Sequence, residues 1–109
     1  ICSNKPEGFV RQILESLNGL QPFEAILGGD SVKSKKPDPE GMNSILEQLN
    51  VSAEEAVLIG DSPVDIETGK RAGVYTCVVN YGLGFAEEIA AAKPDCSIDC
   101  LSELKKIFC

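Results

Sequence analysis

A chain of 109 residues, 43% hydrophobic and 25% charged, has the make-up of one ordinary globular domain, long enough to bury a core and outside the disordered and fibrous classes. The formal net charge of −7 argues against nucleic-acid and anionic-membrane partners, which need clustered Lys and Arg. No apolar run approaches the ~18–20 residues that span a bilayer and no basic-then-apolar leader opens the sequence, so a soluble cytoplasmic protein is expected.

The chain opens at Ile1 without an initiating Met, and Ile1-Cys2 has the character of a strand's last residues, which suggests a fragment. Asn4 is placed to cap a helix with Pro6 and Glu7 in its first turn and Phe9, Val10, Ile13, Leu14 and Leu17 on one face, ending at Asn18-Gly19. Residues 23–27 read as a short strand closed by Gly28-Gly29. A polar loop with Lys33, Lys35 and Lys36 follows, and Pro39 opens a second helix whose apolar stripe is Met42, Ile45, Leu46 and Leu49.

Asn50 ends that helix, residues 52–55 form a capping-box turn, and 56–59 are an apolar run of the kind found in buried parallel strands, stopped by Gly60-Asp61. Pro63 suits the first turn of the next helix, which runs to about Ala72 with Gly73 in the usual C-terminal position. A strand over 74–79, a helix over 85–92, a short strand over 96–98 and a closing helix over 101–108 complete the order. Strands alternating with helices imply a parallel α/β sheet covered on both faces, with ligands bound beyond the carboxyl ends of the strands. Five cysteines, an odd number without a CxxC pair, and no histidine leave no zinc pattern, so reduced, buried thiols are expected.

The strand ends carry the polar residues that chemistry requires. Gly60-Asp61-Ser62-Pro63-Val64-Asp65 sits where a strand turns into a helix, and carboxylates four apart can approach one side of its first turn. Such a pair suits magnesium, which keeps several waters; equally, Asp61 could cap the helix and Asp65 complement its dipole. In Lys35-Lys36-Pro37-Asp38-Pro39 two prolines stiffen a loop and aim a cation, although a solvated basic loop would read the same. Ser3-Asn4-Lys5 combines a hydroxyl with backbone N–H groups near a helix start, which can hold an anion or simply cap the helix.

Taken in order with Gly28-Gly29-Asp30 and Ala72-Gly73-Val74, these motifs resemble the haloacid dehalogenase superfamily of hydrolases, in particular its phosphoglycolate phosphatase-like branch, over nearly the whole chain. The resemblance implies a Rossmann-like sheet with residues 1–109 forming the C-terminal portion of the core domain. It further implies a Mg2+-dependent phosphatase acting on a small phosphorylated metabolite through an aspartyl-phosphate. Ser3 and Asn4 then match the phosphate-binding positions, Lys36 the catalytic lysine, Asp61 the direct metal ligand and Asp65 the second acid.

The family's Asp-x-Asp nucleophile motif occurs nowhere in the sequence. The first strand that bears it and the substrate-selecting cap would lie upstream of Ile1, so the isolated chain is expected to be inactive. In the family that strand lies between the one ending at Ser3 and the one ending at Asp61, and its removal opens a gap of about 10 Å between them. Direct pairing of the flanking strands, or a strand borrowed in a homo-oligomer through exposed edges, is the expected closure. A phosphosugar mutase or pyrophosphatase of the same superfamily, a catalytically inert fragment and a non-catalytic binding module are the competing readings. Gly82-Leu83-Gly84 alone is too little for a dinucleotide fingerprint and reads as a loop or turn.

Overall fold

The computed structural model describes residues 1–19, 22–82 and 86–108. Its centre is a three-stranded parallel sheet in the order β1 (Val57–Gly60), β2 (Tyr75–Val79), β3 (Cys96–Ile98). Val57 pairs with Tyr75 and Gly60 with Val78, while Cys77 pairs with Cys96 and Val79 with Ile98. The described residues form five α-helices, α1 (Glu7–Ser16), α2 (Glu40–Leu49), α3 (Pro63–Ala72), α4 (Ala86–Ala92) and α5 (Leu104–Phe108), of which α3 connects β1 to β2 and α4 connects β2 to β3.

Alternation along β2 sends successive side chains to opposite faces, each with its own core. Val78 packs with Ile66 of α3 and Ile89 of α4 on one face. Cys77 and Val79 pack with Ile98 on the other, alongside Val57, Cys96 and Leu104. Both faces are covered, as a parallel sheet requires. At the β2–β3 margin the side chain of Asp95 extends the ladder: Thr76, 1% exposed, donates its N–H and hydroxyl to Asp95 Oδ2 at 2.8 and 3.0 Å, and the Asp95 N–H donates to Thr76 Oγ1 at 3.0 Å.

The local signals for the second half translate directly. Asn50 ends α2 in the left-handed region at φ 54°, and Ser52 and Glu55 form the capping box. Pro63 opens α3, and Gly73 closes it at φ 76°, a conformation that costs glycine nothing sterically. The expected helix over 101–108 divides into a 3-10 turn at Leu101–Glu103 and α5. Of the helix over 85–92, residues 86–92 are observed as α4, and Leu83, Gly84, Phe85 and Cys109 lie outside the described residues. Among the described residues no helix is long and apolar enough to cross a membrane.

Four expectations, for α1, for residues 23–27 and for β1, are not met. Asn4 does not cap α1, which starts later, at Glu7; the cap is Asp30, whose Oδ1 accepts from the Glu7 N–H at 2.8 Å across the Gly28-Gly29 turn, because Pro6 at the boundary has no side-chain acceptor. The strand over 23–27 reduces to one parallel bridge between Cys2 and Leu27, since the Ile1–Ser3 backbone it pairs with supplies hydrogen bonds to Ala25 and Leu27 alone. On α1 only Val10 is buried: Phe9, Ile13 and Leu17 are 60%, 46% and 72% exposed, because no described element covers that face. The run at 56–59 forms a strand that is not fully buried, with Ile59 37% exposed.

Ile59 is exposed because, among the described residues, β1 pairs with β2 alone. The flanking strands do not close the expected gap. A cavity of about 320 Å³ lies between them, lined by Ile1 and Cys2 on one side, Val57, Leu58 and Ile59 on the other, and Met42 and Ile45 of α2. Its rim carries Lys36 and Asp65. The ion pair between these two residues and the packing of α2 on α3 fix the walls where they stand, so a direct backbone ladder across the cavity does not form.

Two measurements test this packing. The four described cysteines are free thiols, and burial together with hydrogen bonding to Cys96 pushes the Cys77 thiol up to about 12, so it keeps its proton at pH 8. Exposed Cys100 lies below the ordinary thiol range through its hydrogen bonds with Ser102 and carries more thiolate. Alkylation at pH 8 followed by mass spectrometry should label Cys100 first and leave Cys77 unmodified until the chain unfolds. Asp95→Ala, which strips buried Thr76 of its partner, should cost about 1–3 kcal/mol in urea unfolding.

Candidate functional site

The polar strand ends meet at one rim of the molecule. On the first strand, the Ser3 N–H donates to the Leu27 carbonyl at 3.0 Å, which fixes the backbone as it leaves the bridge. The Ser3 hydroxyl then accepts from the Lys5 N–H at 3.1 Å, turning the chain before α1 begins. The helix-end donor at Glu7 is already committed to Asp30, so it is the turn at residues 3–5, not the end of α1, that faces the rim.

Asn4 reaches across to the lysine loop. Its Oδ1 accepts from the Lys36 N–H at 3.0 Å and its Nδ2 donates to the Lys36 carbonyl at 3.3 Å. The Lys36-Pro37 peptide is cis. The loop is fastened further at Glu40, whose carboxylate accepts from the Ser34 N–H at 3.3 Å, and at Asp38, which accepts from the Glu40 N–H at 2.9 Å. Lys33 and Lys35 are exposed, Lys35 with its stem over Gly29 at the edge of the recess that Ser3 and Asn4 line, whereas Lys36 turns inward.

Lys36 Nζ donates to Asp65 Oδ1 at 2.6 Å, with the two side chains only 13% and 12% exposed. Asp65 Oδ2 accepts from the Asp61 N–H at 3.0 Å and from Ser62 Oγ at 3.2 Å, so both of its oxygens are held by protein donors. This arrangement depends on close approach: a Cβ on Gly60 would collide with the Asp65 carboxyl group, and one on Gly82 with the Asp61 side chain. Gly82 therefore lets the segment after β2 lie directly against Asp61.

All five expected site residues are thus brought together. Asn4 contacts Lys36, Lys36 contacts Asp65, Asp65 contacts the Asp61 backbone, and Ser3, Asn4 and Lys36 line a common recess with Cys2 and Gly28. Asp65 reaches back to hold the Asp61 backbone, and the Asp61 side chain lies beside Gly82. Burial raises the Cys2 thiol above the ordinary range while nearby Lys36 works against the rise, so Cys2 enters the rim as a protonated neighbour. The sequence reading left out the hydroxyl of Ser62 and the side-chain amide of Asn4. The first lay inside the acidic motif and could have been suspected; the second joins residues 32 positions apart and had no local signal.

Among the described residues no three His, Cys, Asp or Glu side chains converge into a closed metal cage. Magnesium is normally held by one or two carboxylates and otherwise by water and substrate phosphate. An open site of that kind fits Asp61, with Asp65 next to it through the shared Asp61 backbone contact.

The profile of the haloacid dehalogenase-like hydrolases matches residues 1–79. A phosphoglycolate phosphatase of Rhodospirillum rubrum is 44% identical over 82 residues, covering 75% of this chain and 34% of its own. One of Vibrio cholerae is 38% identical over 107 residues, covering 98% and 47%. The crystal structure of a predicted phosphoglycolate phosphatase from Haemophilus somnus superposes with a TM-score of 0.91 at 29% identity, covering 97% of this chain and 47% of that one. The chain spans half or less of the length of these relatives. Its matched profile, its parallel sheet and the order of its strand-end motifs place it among the haloacid dehalogenase-like hydrolases.

Proposed function

We propose that these residues are the C-terminal portion of the core domain of a magnesium-dependent phosphatase that hydrolyses a small phosphorylated metabolite, phosphoglycolate or a close analogue, in the cytoplasm. The observation that carries the reading is the unbroken contact path from Asn4 through Lys36 to Asp65 and the Asp61 backbone, which joins the Ser3–Asn4 turn to the acidic loop after β1. The curated relatives named phosphoglycolate phosphatase supply the substrate class.

In this proposal the Ser3 hydroxyl and the adjacent Asn4 backbone N–H bind phosphoryl oxygens. Lys36 neutralises charge on those oxygens and on the attacking carboxylate. That carboxylate comes from outside these 109 residues and enters the cavity beside Lys36, between the Ile1–Ser3 backbone and β1. It would attack phosphorus and form the aspartyl-phosphate as the ester P–O bond breaks, the leaving alkoxide taking a proton from the second aspartate of the same Asp-x-Asp motif, and water would then cleave the acyl phosphate to return the carboxylate and free phosphate. Asp61 holds the magnesium ion, and Asp65 supports it while keeping Lys36 in place. When bound, the ion withdraws charge from the phosphoryl oxygens.

The ion pair has a further consequence for binding. An incoming dianion competes with Asp65 for the Lys36 ammonium, and Asp65 stays anchored during that exchange through its second oxygen on the Asp61 N–H and Ser62. The lysine can turn toward phosphate without the acidic loop losing its shape.

Three outcomes are expected. Magnesium titration should show binding that Asp61→Asn abolishes; persistence of the full binding isotherm in that variant would remove Asp61 from the metal site. In the protein that carries these residues together with an Asp-x-Asp strand, phosphate release from phosphoglycolate should fall by about 10²–10³ in Lys36→Ala, and equal rates with and without the lysine would refute its role. Asp65→Ala leaves a largely buried ammonium unmatched and should lower stability by about 2–4 kcal/mol in urea unfolding.

A further inference from the structure

The amide of Asn4 makes contacts that a phosphate-binding side chain would not. A primary amide presents an acceptor and a donor side by side, and both are spent on one residue: Oδ1 on the Lys36 N–H at 3.0 Å and Nδ2 on the Lys36 carbonyl at 3.3 Å. Both bonds fall on the backbone of one residue, so Asn4 grips Lys36 from a segment 32 positions away.

The lysine stem explains why such a grip matters. Four rotatable bonds separate the ammonium from the backbone, so an untethered lysine sweeps a wide volume and loses much rotamer freedom on binding. Fixing the backbone at one end and Nζ on Asp65 at the other leaves the stem little freedom. Neighbouring Lys33 and Lys35 are exposed on the same loop.

We infer that the Asn4 side chain is a positioning group: it aims Lys36 toward the anion site by clamping the Lys36 backbone, and the side-chain amide, unlike the Asn4 backbone N–H, does not itself touch the bound anion. The choice of phosphate as the anion rests on the phosphatase reading above, while the clamp does not.

Nuclear magnetic resonance of the lysine ammonium groups in the full chain tests the clamp without any ligand, with Lys36→Met identifying the Lys36 signal. In Asn4→Ala the Lys36 signal should move to the position of exposed Lys33 and Lys35, while the amides of β1, β2 and β3 stay in place. An unchanged Lys36 signal in Asn4→Ala overturns the inference. Titration with inorganic phosphate gives the second readout. Asn4→Ala should weaken binding by about three- to tenfold, the worth of one modest hydrogen-bonded contact, and should have no further effect in a Lys36→Met background. An equal loss with and without Lys36 would show that the Asn4 side chain contacts the anion directly and would overturn the inference. If the wild-type chain binds no phosphate, the phosphatase reading loses its support, yet the ammonium signals still decide the clamp. Asn4→Ser is read in the same way should Asn4→Ala fail to fold.

Discussion

The ion pair between Lys36 and Asp65 joins the two parts of this molecule. On one side stand the Cys2–Leu27 bridge, α1 and the lysine loop; on the other stands the three-stranded sheet with α3, and Lys36 reaches Asp65 at 2.6 Å from the first part to the second. The largely buried charges cannot relax into water, so each needs the other. The packing of α2 on α3 is the parallel apolar connection, and together the two hold open a cavity whose walls are strand backbones. The rim of that cavity and the candidate site are the same place because the same two side chains make both.

Legibility in the sequence followed the range of the interactions involved. α3 could be read from Pro63 and Gly73, and β2 and β3 from short apolar runs, because those signals act within a few residues. The grouping of Ser3, Lys36, Asp61 and Asp65 was also legible, since parallel strands bring their carboxyl ends to one edge whatever lies between them. What failed was non-local. Asp30 caps α1 from the next loop, and nothing near Asn4 says that its own amide is engaged elsewhere. Periodicity marked Phe9, Ile13 and Leu17 as one face, but it cannot say whether a partner for that face lies within the chain.

The gap beside β1 shows the same limit from the opposite direction. Apolar strands with open edges ordinarily seek a partner, and the Ile1–Ser3 backbone and β1 are the obvious candidates for each other. They do not pair, because their separation is set by side chains at the rim and by helix packing beneath, both of which would have to give way for a ladder to form. Backbone hydrogen-bonding appetite decides pairing only when nothing stiffer has already fixed the distance.

A net charge of −7 is no obstacle to binding an anion at this rim, because charges more than about 10 Å apart in solution are largely screened while partly buried ones are not. The local balance is what counts, and there Lys36 is already matched by Asp65. A phosphate dianion approaching that pair alone meets almost no net attraction and must compete with a carboxylate 2.6 Å from the ammonium. With a divalent cation held at Asp61, the same few ångströms would carry net positive charge. Under the proposed reading such a site would favour taking up the two ions together over taking up either alone, with the Asp65 contact to the Asp61 N–H joining its two halves.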